Sequence, residues 1–182
     1  MFTSTQIELV KKINASPYKI ILTTAGGGSS FVGDFLSISG GSNTILGAFV
    51  PYDAQITATI LSFYGDAENI KLVSKDCAEC LCAHSIDLFE SYGDFTDEEN
   101  ELFLGNEPSK VISISCTASL AKDNEREGRI HEAYISLLFA DSMREEVLIE
   151  HILLNSTREN EEKELAAKIL DILVKVCETN ER

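Results

Sequence analysis

The chain has 182 residues, 44% of them apolar, a mean hydropathy of +0.01 and a formal net charge of −15. That length and composition suit one globular domain with a sizeable core and exclude a disordered chain. Thirty acidic residues against 15 basic ones exclude a domain that holds nucleic acid by neutralising phosphates, and no apolar run approaches the roughly 20 residues of a membrane helix.

At the start of the chain, Glu8, Lys11 and Lys12 stand among spaced apolar residues. That pattern predicts an amphipathic helix ending before Pro17, not a signal peptide. Tyr18 to Thr24 is short and β-rich and predicts a buried strand. The glycine run Ala25-Gly26-Gly27-Gly28-Ser29-Ser30 follows, and then Phe31, Val32, Phe35 and Leu36 at helical spacing. Ser39-Gly40-Gly41-Ser42 breaks that helix. Thr44 to Val50 is a second apolar run, closed by Pro51. Asp53 is placed to cap a helix carrying Ile56, Ile60, Leu61 and Phe63, and Ser74 to cap another reaching about Phe89. Residues 92–109 are acidic and contain Gly and Pro, which predicts a mobile loop. Lys110 to Cys116 alternates and predicts a central strand. After a charged loop at 121–128, Ile130 to Ala140 and Glu145 to Leu154 predict an antiparallel hairpin turning at Asp141-Ser142. Glu161 to Val176 predicts a terminal amphipathic helix. The whole is expected to be a single α/β domain over residues 1–182, a three-layer α/β/α arrangement around a mixed sheet.

A strand, a glycine loop and a helix in succession place bare backbone donors and two hydroxyls at a helix start. Gly26, Gly27, Gly28, Ser29 and Ser30 are therefore candidate binders of an anion such as phosphate, the alternative being an ordinary glycine turn. The loop lacks the Gly-Lys-Ser/Thr ending of a P-loop and the G-x-G-x-x-G spacing of dinucleotide folds.

Five cysteines, an odd number with three crowded into Cys77, Cys80 and Cys82, do not make a secreted disulfide framework. Reduced thiols and a cytoplasmic location are expected. Cys77, Cys80, Cys82 and His84 carry metal-binding atoms, but on a helix Cys82 leaves the face that the other three share. Four converging ligands are not available, so buried thiols and no metal are expected. His131 is read as a surface histidine, with a place beside the pocket as the alternative.

In order and spacing, these segments resemble the C-terminal domain of the CinA (competence/damage-inducible) family. The resemblance rests on Ala25-Gly26-Gly27-Gly28-Ser29-Ser30, Ser39-Gly40-Gly41-Ser42, Val50-Pro51-Tyr52-Asp53, Ser115-Cys116-Thr117-Ala118 and Thr157-Arg158, nearly the whole chain. It is nearest to a divergent branch with a Gly-Gly-Gly-Ser-Ser loop, often joined to a nucleotidyltransferase-like domain. Catalytic members of the family are nicotinamide-nucleotide amidohydrolases. The resemblance implies Tyr52, Thr117 and Arg158 as binding positions beside the glycine loop. The family's nucleophilic serine falls on Gly27 and its activating lysine on Thr57. A glycine cannot attack, and a hydroxyl needs a base. Ser29 and Ser30 remain weak candidates for a hydroxyl nucleophile without a matching base. The expected function is recognition of a small phosphate-bearing ligand of the nicotinamide-nucleotide type, without a cofactor. The alternative is a catalytically silent interaction domain, and in either case a homo-oligomer is expected.

Overall fold

The computed structural model describes residues 1–64, 70–92, 111–140 and 148–179. Helix α1 (Ser4–Ala15) begins at a reciprocal cap, in which Thr3 and Gln6 each accept the other's backbone N–H. Strand β1 (Lys19–Ala25) leads through the glycine loop into the seven-residue helix α2 (Ser30–Leu36). Strand β2 (Ile45–Phe49) and helix α3 (Ala54–Leu61) follow, with the Asp53 carboxylate capping Gln55 and Ile56. Then come α4 (Lys75–Tyr92), β3 (Val111–Ser119), β4 (His131–Phe139), β5 (Leu148–Leu154) and α5 (Arg158–Thr179).

The five strands lie in the order β2-β1-β3-β4-β5. β1 runs parallel to β2 and β3, while β3-β4 and β4-β5 are antiparallel. The sheet is mixed, with helices on both faces, as the alternation of elements predicts. The 92–109 segment and the hairpin turn at Asp141-Ser142 fall almost wholly or wholly outside the described residues. One local expectation is corrected. α3 closes at Leu61, so Phe63 lies past the helix and is 71% exposed. It continues an apolar spacing beyond the turn that buries it.

The two faces of the sheet differ in chemistry, because the strand period of two sorts β3 into two rows. Ile112, Ile114, Cys116 and Ala118 join the main core with Val10, Ile13, Phe31, Phe35, Leu165, Ile169 and Leu173 from α1, α2 and α5. Ser113, Ser115 and Thr117 lie beneath α4 and are fully buried. Their hydroxyls donate to α4 and the residue before it: Ser113 to the Cys82 carbonyl (2.9 Å), Ser115 to Ala78 (2.5 Å) and Thr117 to Ser74 (3.5 Å).

This interface accounts for the cysteine cluster. Cys82 turns onto the sheet, its Sγ 3.1 Å from the Ser136 carbonyl, while Cys77 packs with Ala25, Leu61 and Leu81. Burial pushes the Cys77 thiol up to about 12, and Cys82 is raised by the same cause. All five cysteines are free. Among the described residues no group of three or more His, Cys, Asp or Glu is placed to hold a metal, and no helix is long and apolar enough to cross a membrane.

Candidate functional site

The parallel half of the sheet ends at the glycine loop. Gly26 has φ +89°, and a Cβ there would lie 2.1 Å from the Ala118 carbonyl oxygen, so no other residue fits. Gly27 is constrained differently. Its missing Cβ would point at Ala118 Cβ (2.9 Å), Leu165 Cδ1 (3.0 Å) and Leu120 Cδ1 (3.1 Å). The position that the resemblance assigns to a nucleophile thus faces apolar side chains.

The donors of the loop already hold an anion, the carboxylate of Glu162 in the first turns of α5. Its Oε2 accepts the Gly28 N–H (2.8 Å). Its Oε1 accepts the Ser30 N–H (2.8 Å) and the Ser29 hydroxyl (2.9 Å). Ser29 starts α2 without a side-chain cap because its hydroxyl is spent on Glu162, and the Ser30 hydroxyl reaches the Glu162 carbonyl at 3.4 Å. Sequence reading identified the donors but not this partner, which lies more than 130 residues away.

Beside the loop lies a cavity of about 300 Å³ whose lining includes Gly26, Tyr52, Thr57, Lys122, Arg129 and Arg158, with no carboxylate among the described residues that line it. A wider depression of about 590 Å³ adjoins it, sharing Gly26, Tyr52 and Arg158 and bordered by Ser29, Ser30, Glu159 and Glu162. Two guanidinium groups of the cavity are held by neutral atoms. Arg158 donates to the Tyr52 hydroxyl (2.8 Å) and the Ala121 carbonyl (3.3 Å). Arg129 donates twice to Ser119 Oγ (2.8 and 3.3 Å). Among the described residues, none of Lys122, Arg129 and Arg158 forms an ion pair. The two guanidinium groups are therefore oriented by neutral acceptors, and Lys122 adds a third positive charge to the lining, which suits an incoming anion.

Tyr52 and Arg158, 106 positions apart, are thus in direct contact at the cavity. Thr117 is elsewhere: it pairs with Ala25 across the sheet, is fully buried and donates beneath α4. Thr57 lines the cavity wall, but its hydroxyl bonds back to the carbonyls of Pro51 (2.8 Å) and Asp53 (3.1 Å). Lys122 and Arg129 went unnoticed in the sequence. Their signal is slight, two cations flanking an acidic loop after the end of β3.

His131 is half-buried at the start of β4, its side chain 13% exposed. Nδ1 lies 2.7 Å from Glu161 and Nε2 2.7 Å from Glu125. Hydrogen bonds to Glu161 and then to Glu125 raise its pKa against the effect of burial. Burial would raise the Glu161 carboxyl, but the N–H donors of Ala121 and Ser156, with His131, outweigh it and hold the group below its ordinary value.

No protein-family model matches the sequence, and no curated protein does. Solved structures do match. The competence/damage inducible protein CihA from Agrobacterium tumefaciens superposes with a TM-score of 0.66 at 13% identity, over 100% of this chain and 99% of that one. A competence or damage-inducible protein from Enterobacter asburiae gives 0.66 at 13% identity, over 94% and 99%. A competence-damaged protein (CinA) superfamily protein from Escherichia coli gives 0.65 at 13% identity, over 97% and 92%. At such identities the likeness is one of fold: over nearly its whole length, this chain has the three-layer α/β fold of CinA-superfamily proteins.

Proposed function

We propose that this chain is a CinA-like domain that binds a small phosphate-bearing ligand of the nicotinamide-nucleotide type, without family-type amide hydrolysis. The observation that carries the reading is a cavity whose described lining gathers Lys122, Arg129 and Arg158 and holds no carboxylate, in a chain of net charge −15. Three cations left together would repel one another, and an anion relieves that repulsion. The phosphate belongs in this cavity and not on the glycine loop, whose donors Glu162 occupies. Tyr52 offers an aromatic face beside Arg158, suited to the ring of a nucleotide.

Binding of nicotinamide mononucleotide, followed by calorimetry, tests the reading against the phosphate-free riboside. The mononucleotide is expected to bind and the riboside not to. Arg158→Ala is expected to weaken the mononucleotide about tenfold or more, the usual worth of a charge-assisted hydrogen bond. Equal binding of both compounds would overturn the phosphate assignment.

A second reading, an interaction domain built on a homo-oligomer, draws on β2. This edge strand and its surroundings expose Phe49, Val50 and Ile56, the last at 55%. Exposed apolar residues beside an unpaired strand edge favour a partner there. Sedimentation of the protein and of Ile56→Asp distinguishes it: a dimer that the substitution dissociates supports this reading.

A further inference from the structure

The segment between β3 and β4, residues 120–130, supplies two of the three cavity cations. It has little regular structure, yet two carboxylates hold its backbone. Glu161, fully buried in the first turn of α5, accepts the Ala121 N–H at 2.7 Å and the Ser156 N–H at 3.1 Å. Glu125, within the segment, accepts the Lys122 N–H at 2.7 Å. The His131 ring joins the two, one nitrogen to each.

A carboxylate is an acceptor only, so both ring nitrogens must carry hydrogen to satisfy this arrangement. The imidazolium does so. A neutral ring turns a lone pair toward one carboxylate, and a buried Glu161 left without its cation is costly.

We propose that His131 is a positioning residue for the cavity: as an imidazolium it ties Glu125 to Glu161, fixes segment 120–130 so that Lys122 and Arg129 face the ligand, and releases that segment when it loses its proton. This rests on the anion-binding reading above. The charged groups facing the ring are Glu161 from α5 and Glu125 from the segment, with Arg129 acting on Glu125; β5 sets Leu154 opposite it. Glu161 is anchored by two backbone N–H groups, whereas the Glu125 side chain is 27% exposed, so the Glu125 side opens first. The folded pKa of His131 is raised, so the clamp is complete below the ordinary value of about 6.5. It is lost as pH rises through the raised folded value. Glu125 and Glu161 are lowered, so their contribution is present above the ordinary carboxylate range and fails only as pH falls through their folded values.

Sulfate is the probe, because its charge is constant between about pH 6 and 9, where histidine titrates and lysine and arginine stay charged. At constant ionic strength, sulfate affinity is expected to fall about fivefold or more across that range. By reciprocity, bound sulfate raises the His131 pKa read by NMR. His131→Gln is expected to bind weakly with a flat pH profile, and Glu125→Gln to move the profile to lower pH. His151→Gln, which removes the other carboxylate-paired histidine at Glu132, is expected to leave it unchanged. Sulfate binding that is strong and independent of pH would overturn the proposal while leaving the cavity reading intact. If sulfate binds at no pH, the cavity reading fails. The clamp is then judged in the free protein, where the Ala121 and Lys122 amide resonances must follow the His131 titration; if they do not, it too is overturned.

Discussion

At Gly27 the consequence of a single missing side chain can be stated sharply. A serine there would press its Cβ against Ala118, Leu165 and Leu120, and its hydroxyl would enter an apolar contact without a partner. Overpacking costs about 1–3 kcal/mol, and an unsatisfied buried hydroxyl adds to that. Gly27→Ser is therefore expected to lower the melting temperature and to create no amidohydrolase. Adding lysine at Thr57 is expected to change neither outcome, since the base would reach the cavity and the serine would not. Ammonia release from nicotinamide mononucleotide checks this, and turnover by the double variant would contradict it. Ser29 and Ser30 offer little as substitutes, because the donors around Glu162 make its carboxylate an anchor for the loop and not a free base.

Between α4 and β3 the unit of stability is a ladder. Carbonyls of residues 74, 78 and 82 meet hydroxyls of residues 117, 115 and 113. Four residues of helix advance about 6 Å, and two residues of strand advance about 6.6 Å. The two repeats nearly match, so a helix running antiparallel to a strand holds three contacts in register before they drift apart. Each carbonyl has a second lone pair free for the hydroxyl. Removing one rung leaves no orphan acceptor, and Ser115→Ala is expected to cost only about 1 kcal/mol. Ile114→Ala, on the other face of the same strand, is expected to cost about 2–5 kcal/mol through the cavity it leaves. Urea denaturation of the two variants tests the order, and a larger loss from Ser115 would mean that the polar interface holds the sheet.

Taken as a whole, the molecule gathers its site at the start of α5. Within five residues that helix presents Arg158 to the cavity, Glu161 to segment 120–130 and Glu162 to the glycine loop. The three are bound through one rigid element to the ends of β1 and β3. Glu162→Ala is expected to cost roughly 2–3 kcal/mol, because it strands the Gly28 and Ser30 N–H groups. Glu162→Gln, which keeps one acceptor oxygen, is expected to cost less. Denaturant midpoints check the order. A neutral effect of both would show that solvent serves the loop equally well.

The elements and the mixed sheet were legible in the sequence because their signals are local. Apolar spacing distinguishes α1 and α5 from β1 and β3. The three glycines mark a loop with little room for side chains, and Asp53 caps α3 from two residues away. By contrast, the sequence offered Thr117 as a ligand contact, where strand register turns it beneath α4. It offered the glycine loop as the anion cradle, where Glu162 fills it. It passed over Lys122 and Arg129, which become a site only when Arg158 arrives from the far end of the chain. Periodicity determines which face of an element is buried. Which donor meets which acceptor depends on contacts across more than a hundred residues, and only the closed tertiary structure, with α5 laid against the ends of β1 and β3, decides those.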